Sequence, residues 1–246
     1  MSFSGDRFIV TEKSLELNIT NELINTLGAT AIGFSQQQER LTGGDVYFPV
    51  DPPFILQYKR PYDGQDLVQA RFRINSNEGN TQHRVLDLVS RRRLCDVYYV
   101  FPIIVRNRVF LRSMGTFAIN SVFVPPERIT DSVSSKAQSW MRTSHIVTVT
   151  LSNRGFVVRS SEEGKGFGLS KDGVLGKIRD RLATHQRRES AEDLPSFVQE
   201  NIGAMRGAVR EAGIMKKSEH TISYVAQRRQ PGKEPSTGYL SVTTQL

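Results

Sequence analysis

The sequence is poor in cysteine, in long apolar runs and in acidic side chains, and each shortage excludes a class of protein. A single cysteine, Cys95, among 246 residues excludes an intramolecular disulfide framework and a cysteine-rich zinc site, and is typical of a reducing compartment. No apolar run approaches the roughly 18 residues of a membrane span; the longest, such as 97–105, have the length of a strand. The polar residues 1–7 lack the order of a secretory signal. We therefore expect a cytoplasmic protein without a membrane partner.

Positive charge exceeds negative charge over the whole chain. Lysine and arginine number 33 against 25 aspartate and glutamate residues, which gives a formal net charge of +8. Arginines are also clustered, at 91–93, 187–188 and 228–229. A basic surface gains affinity for polyanions because each neutralised phosphate releases condensed counterions. The balance favours a nucleic-acid partner over a basic protein that has no such partner.

Apolar spacing predicts a mixed α/β core in the first hundred residues. Helical spacing covers 14–27 and 81–92, while two short apolar segments, 45–48 and 54–59, flank a proline-bearing turn and predict a hairpin. Residues 97–101 are apolar on both faces, which is typical of a central strand covered on both sides. The order helix, hairpin, helix, strand predicts a central mixed β-sheet flanked by helices.

The remainder of the chain has less regular patterns. Strands are predicted at three short segments: 108–111, 121–124 and 146–151. The composition changes after residue 155, which predicts an α/β domain over 1–155 and a helical or flexible C-terminal extension over 156–246. Within the extension we predict a flexible glycine-rich loop at 164–168, helices at 173–182 and 197–209, and a disordered tail from about residue 227.

Polar residues of the predicted hairpin are placed for chemistry. Gln57 and Lys59 are two apart on one strand, so they share a face, and Asp45 opens the other strand. A hard divalent cation takes oxygen ligands, which the Asp45 carboxylate and the Gln57 amide oxygen can supply. Glu39 can add a carboxylate, and Lys59 can position a water or stabilise developing negative charge. The set predicts phosphodiester hydrolysis assisted by Mg²⁺ or Mn²⁺, in a solvated cleft.

Each of these residues also has a structural interpretation. Asp45 follows two glycines and could serve a turn, and Lys59 could be a solvated strand end. The second carboxylate could instead come from Glu12, Glu16 or Glu22 on the first helix.

Other reactive side chains form no catalytic pattern. The four histidines are scattered, so no paired zinc ligands are predicted. We expect His83 at the surface of the second helix and Cys95 as an inert buried residue.

The hairpin residues resemble a known nuclease pattern. Asp45 followed by Gln57-Tyr58-Lys59 is similar to the PD-(D/E)XK motif of the restriction-endonuclease-like superfamily, as a Gln-X-Lys variant. A glutamine replaces the acidic residue, and Gly44 stands where a proline is usual. The resemblance covers about residues 10–105 and implies the family's core order of helix, hairpin, helix and strand. It further implies a metal-dependent nuclease whose active site lies in the hairpin.

Two functions of different classes remain open. The first is a Mg²⁺-dependent DNA endonuclease in a prokaryotic defence or repair system, working as a homodimer or with a protein partner in a larger complex. The residues predicted to bind duplex DNA flank the proposed site along the chain: Arg71, Arg73, Arg84 and Arg91. The second is a basic nucleic-acid-binding or assembly protein without hydrolytic activity. Lys59 separates the two, because a protein that only binds does not need a lysine aligned with Asp45 and Gln57.

Overall fold

The described part of the chain is a mixed α/β fold with two β-sheets and surrounding helices. The computed structural model describes residues 10–28, 31–34, 39, 42–50, 52–74, 81–133, 145–159, 163–185, 194–214 and 240–241. Within these ranges no helix combines the length and apolarity that crossing a membrane requires.

The elements are numbered in chain order. The helices are α1 (Glu12–Leu27), α2 (Thr81–Arg91), α3 (Asn107–Arg112), α4 (Pro126–Asp131), α5 (Lys171–His185) and α6 (Leu194–Glu211). The strands are β1 (Ile32–Gly33), β2 (Val46–Phe48), β3 (Phe54–Tyr58), β4 (Pro61–Gln65), β5 (Gln69–Ile74), β6 (Asp96–Pro102), β7 (Ser121–Val124), β8 (His145–Thr150), β9 (Gly155–Arg159), β10 (Glu163–Phe167) and β11 (Leu240–Ser241).

The first sheet is mixed and has the strand order β11-β1-β2-β3-β6-β7. Strands β1, β2 and β3 are antiparallel neighbours, and β3 runs parallel to β6. The α2 helix lies between β3 and β6 in the sequence, as a parallel connection requires. The predicted helices, hairpin and central strand of the first hundred residues are thus confirmed.

The second sheet is antiparallel, with the order β10-β9-β8-β5-β4, and the sequence analysis did not predict it. Its β5 strand alternates exposed and buried residues along its whole length, so one face of the sheet is open to solvent. The domain boundary predicted after residue 155 falls at the first residue of β9 in this sheet, and the division into two domains stays a prediction. Apart from β11, the predicted tail from about residue 227 lies outside the described residues.

The first sheet is covered on both faces. Helices α1 and α5 pack apolar side chains such as Ile19 and Ile178 on one face. Helices α2 and α6 and the inner face of the second sheet pack on the other, with Val85, Ile202 and Phe72. Polar residues on strands buried in this way are costly unless they are paired, so they are the first candidates for function.

The ends of α1 are set by local chemistry. The Thr11 side chain accepts a hydrogen bond from the Ser14 backbone N–H at 3.1 Å, which caps the first turn. Gly28 ends the helix at φ 63°, in the left-handed region that glycine adopts without strain.

Two predictions of local structure are wrong. The segment 108–111 belongs to α3 rather than to a strand, because so short an apolar run has no period that separates the two. The glycine-rich segment 164–168 is mostly β10, paired along its length with β9. Its glycines serve close packing: a Cβ on Gly164 would lie 2.4 Å from the Ser132 carbonyl oxygen.

Candidate active site

Asp45 is held rigidly at the start of β2. Its Oδ2 accepts hydrogen bonds from Gln57 Nε2 at 2.8 Å and from the Tyr58 backbone N–H at 2.7 Å. A Cβ on Gly44 would lie 2.2 Å from Ile55 Cγ2, so the strands approach too closely there for any larger residue. This close approach accounts for glycine at the position where the nuclease pattern has proline.

Lys59 reaches the same place through a residue that the sequence analysis did not single out. Lys59 Nζ donates to Gln82 Oε1 at 3.0 Å, and Gln82 Nε2 donates to Gln57 Oε1 at 2.9 Å. Gln82 lies in the first turn of α2, which brings it over the end of β3. Its polar side chain near the start of a helix was the only signal in the sequence, and such residues are common at helix ends.

The structure therefore brings together Asp45, Gln57 and Lys59, as the sequence predicts. The expectation of a solvated cleft is wrong. The exposed fractions are 6% for Asp45, 1% for Gln57 and 9% for Lys59, because α2 and the neighbouring strands cover them. The polar groups are instead satisfied by one another.

Acidic residues of α1 surround the same end of the sheet. Glu12 Oε2 accepts from the Arg60 backbone N–H at 2.9 Å, and the buried Glu16 pairs with Lys13 at 2.6 Å. Glu39 is half-buried, and burial raises its pKa, while Lys13 and Lys59 act against that shift.

Glu22, another candidate for the second carboxylate, serves the fold elsewhere. It accepts two backbone N–H groups, those of Phe117 and Ala118, at 2.8 Å each. Three of the four candidate carboxylates, Glu12, Glu16 and Glu39, thus share the electrostatic environment of Asp45 and Lys59.

The Asp45 carboxylate is electrostatically unfavourable in its charged form. Burial raises its pKa from 3.8 to about 8; Lys59 and the Tyr58 backbone N–H oppose the rise, and Glu12 and Glu16 add to it. A group with such a displaced pKa in a polar cluster is a functional-site candidate, since a bound cation would stabilise its charged form.

The donor set around Asp45 contains a single carboxylate and an amide that presents its nitrogen. Among the described residues, no three carboxylate, imidazole or thiolate groups are arranged to hold a metal alone. Magnesium commonly binds one or two carboxylates together with water and substrate phosphates. Asp45 supplies one carboxylate. Gln57 points its nitrogen at Asp45, so a half-turn of its amide is needed before its oxygen can serve as a ligand.

A second buried polar network begins one residue further along α2. His83 is fully buried, so the expectation that it lies at the surface is wrong. Its Nδ1 bonds Tyr99 Oη at 2.9 Å, its Nε2 bonds Thr130 Oγ1 at 3.1 Å, and Thr130 donates to Asp87 at 2.9 Å. Burial, aided by nearby positive charge, lowers the pKa of His83 to about 3, so the ring is neutral. Cys95 is buried, as expected.

The arginines predicted to bind DNA occupy different surroundings. Arg71 and Arg73 lie on the exposed face of β5, where Arg71 pairs with Asp63 at 2.9 Å and Arg73 lies 4.9 Å from the Tyr62 ring centroid. Arg84 is partly exposed on α2. Arg91 forms salt bridges with two carboxylates, those of Asp87 at 3.0 Å and Asp131 at 2.5 Å.

In comparisons with known proteins, no family model, curated protein or solved structure matches the chain. The site consists of a buried carboxyl group, an amide bound to it, a lysine held by a second amide, and further carboxylates nearby.

Proposed function

We propose that the protein is a metal-dependent DNA endonuclease whose active site contains Asp45, Gln57 and Lys59. One observation carries the proposal: a buried ammonium and a buried carboxylate share a site, yet each is bound to an amide rather than to the other. In an ion pair that only stabilises the fold, the two charges would meet directly, since separation leaves part of the desolvation cost unrecovered. Charges kept apart in this way are available to a ligand.

The residues divide the expected chemistry between them. Asp45 and Gln57 would hold a divalent cation, which supplies Lewis acidity to the phosphate and a more acidic water. Lys59 is placed to stabilise negative charge that develops on the phosphate. Glu39, Glu12 and Glu16 are the carboxylates available to orient a water. The order of α1, the β2–β3 hairpin, α2 and β6 supports this proposal, because it is the order that the nuclease resemblance implies.

The open face of the second sheet is the proposed surface for the DNA backbone. Strand β4 begins two residues after Lys59, so this sheet adjoins the site directly. Cross-strand pairing places Arg71 in one row with Thr148, Val157 and Lys165, and Arg73 in the next row with Ile146, Arg159 and the acidic Glu163. The basic groups in each row lie two or three strand spacings apart, roughly 10–14 Å, and can contact separate phosphates.

A second candidate function is DNA binding without hydrolysis. The observation that favours it is the orientation of Gln57, which presents a donor and not an oxygen to Asp45. The same basic sheet face would serve a protein of this kind.

Plasmid cleavage separates the two functions. Supercoiled plasmid is incubated with the purified protein and Mg²⁺ or Mn²⁺, with and without chelator, and with the Asp45→Asn variant. If the protein is a nuclease, the plasmid is nicked only when the metal is present, and the nicking is lost in Asp45→Asn. The matched control is Asp66→Asn: Asp66 also accepts two backbone N–H groups, from Val105 and Arg106, but lies outside the site. Binding without cleavage, or equal cleavage by Asp45→Asn, would favour the second candidate.

A further inference from the structure

Asp45, Gln57, Gln82 and Lys59 form one continuous chain of hydrogen bonds with a single direction. Lys59 Nζ donates to Gln82 Oε1, Gln82 Nε2 donates to Gln57 Oε1, and Gln57 Nε2 donates to Asp45 Oδ2, with distances of 3.0, 2.9 and 2.8 Å. The chain starts at a cation and ends at a carboxylate, and two amides lie between them.

The Lys59 ammonium fixes the direction of this chain. An ammonium group only donates, whereas an amide has an oxygen at one side and a nitrogen at the other. Lys59 therefore requires the Gln82 oxygen, which leaves the Gln82 nitrogen for Gln57. Gln57 must then turn its own nitrogen to Asp45, where that nitrogen also donates to the Tyr58 carbonyl oxygen at 3.1 Å. The Tyr58 backbone N–H, 2.7 Å from the same Oδ2, independently marks that atom as an acceptor.

We propose that Gln82 is a positioning residue that couples divalent-cation binding at Asp45 to the release of Lys59. The inference rests on the proposed function. With a cation at Asp45, Gln57 must present its oxygen there, since a cation repels an N–H donor. Gln57 then turns its nitrogen to Gln82, and Gln82 must accept that hydrogen bond with its oxygen. The Gln82 nitrogen is left facing the Lys59 ammonium, and two donors cannot bond.

The consequence is an ordered site. Without the metal, Lys59 is bound to Gln82 and its charge polarises the chain. With the metal, Lys59 loses that partner and can turn to a phosphate oxygen or a water. The lysine would thus become available only when the ion that activates the phosphate is present.

Two substitutions of Gln82 divide the coupling into its parts. Gln82→Met keeps the length of the side chain but bonds neither neighbour, so Gln57 is held only by Asp45 and the Tyr58 carbonyl, and Lys59 loses its Gln82 partner with or without metal. Gln82→Glu still accepts from Lys59 and can only accept from Gln57, so it favours the turned Gln57 amide while Lys59 stays bound.

The measurements are Mg²⁺ titration by calorimetry and the NMR signal of the Lys59 ammonium group, both without DNA, on the full-length protein and both variants. We expect Mg²⁺ to bind roughly tenfold more tightly to Gln82→Met, because the parent must give up charge-assisted hydrogen bonds to bind it. The Lys59 signal should shift with Mg²⁺ in the parent. It should be insensitive to Mg²⁺ in Gln82→Met, and should stay at the bound position in Gln82→Glu. Circular dichroism checks that each variant is folded.

The outcomes separate this inference from the proposed function. Equal Mg²⁺ affinity in all three proteins, or a Lys59 signal in the parent that ignores bound Mg²⁺, would overturn the coupling alone. A failure of all three proteins to bind Mg²⁺ would also overturn the coupling, whereas the nuclease is overturned only by plasmid cleavage that is absent or does not need the metal.

Discussion

Two buried polar networks begin at neighbouring residues of α2 and differ in how their charges are met. In the network of Gln82, the Asp45 carboxylate and the Lys59 ammonium are separated by two amides, and the carboxyl has a pKa of about 8. In the network of His83, the imidazole is neutral, and the chain ends where Asp87 meets Arg91 at 3.0 Å.

The difference concerns what each network does for stability. A buried group whose hydrogen bonds are complete and whose charge has a direct partner contributes to a unique fold. A buried charge held away from its counter-charge lowers stability, and such departures are expected at functional sites.

The largest expected effect is on cleavage, from removing the lysine of the first network. In Lys59→Ala, cleavage should fall by at least about 100-fold, because the group that stabilises developing charge is gone. Mg²⁺ should still bind, and more tightly than in the parent, because a cation is not a ligand and the Lys59–Gln82 hydrogen bond no longer has to be broken. Plasmid cleavage rates and calorimetry measure the two quantities.

The matched control is Lys177→Ala. Lys177 Nζ also donates to a protein oxygen, Tyr98 Oη at 2.7 Å, but from α5 on the other face of the sheet. Loss of cleavage in this control to the same extent as in Lys59→Ala would remove the catalytic assignment.

Breaking the second network should affect stability instead. His83→Leu leaves the buried Tyr99 hydroxyl without its imidazole partner, and we expect the free energy of unfolding to fall by about 2–4 kcal/mol. Urea denaturation at pH 7.5 gives the value. A change below about 0.5 kcal/mol would show that the network contributes little.

The same histidine predicts a pH dependence. In the unfolded chain His83 is protonated below its ordinary pKa of about 6.5. In the folded chain burial lowers this pKa to about 3, so the imidazole stays neutral down to that pH. Stability due to this group is thus complete above pH 6.5 and falls by up to about 1.4 kcal/mol for each pH unit below it. A His83→Gln variant should lack this part of the slope.

Adding a charge to the first network should have a moderate effect on metal binding. Gln57→Glu provides a charged oxygen beside Asp45, so Mg²⁺ should bind roughly tenfold more tightly without loss of cleavage. Calorimetry with the parent as reference tests this. Weaker binding would mean that position 57 does not face the ion.

The smallest effects belong to the exposed face of the second sheet, where water screens the charges. Arg71→Gln and Arg73→Gln should each make the log–log salt slope of DNA affinity shallower by roughly 0.9. Arg91→Gln should change the slope less, because Asp87 and Asp131 already hold that side chain. Fluorescence anisotropy at several salt concentrations, with chelator present, provides the slopes. An unchanged slope in both β5 variants would place the DNA elsewhere.

What the sequence could predict depended on distance along the chain. Helix α1, with its Thr11 cap and Gly28 end, and the hairpin that carries Asp45 and Gln57 follow from local periodicity and alternation. In the second sheet β5 pairs with β8, some seventy residues later along the chain. The local pattern of apolar and polar residues does not indicate which distant strand is the partner. The role of Gln82 depends on where α2 comes to rest over β3, which is a property of the packed fold.

The most direct test of this account is the stability of Asp45→Asn without metal, measured by denaturation at pH 5 and at pH 8. A carboxyl whose pKa rises from 3.8 to about 8 on folding stabilises the protonated folded state, so the parent loses stability as the pH rises through this range. Asparagine keeps the acceptor for Gln57 and Tyr58 without that penalty. We predict that Asp45→Asn has a higher free energy of unfolding than the parent at pH 8. The difference is at most about 1.4 kcal/mol for each pH unit above pH 4, so it is smaller at pH 5. A variant less stable than the parent at pH 8 would contradict it, since the carboxylate would then be part of the structural framework.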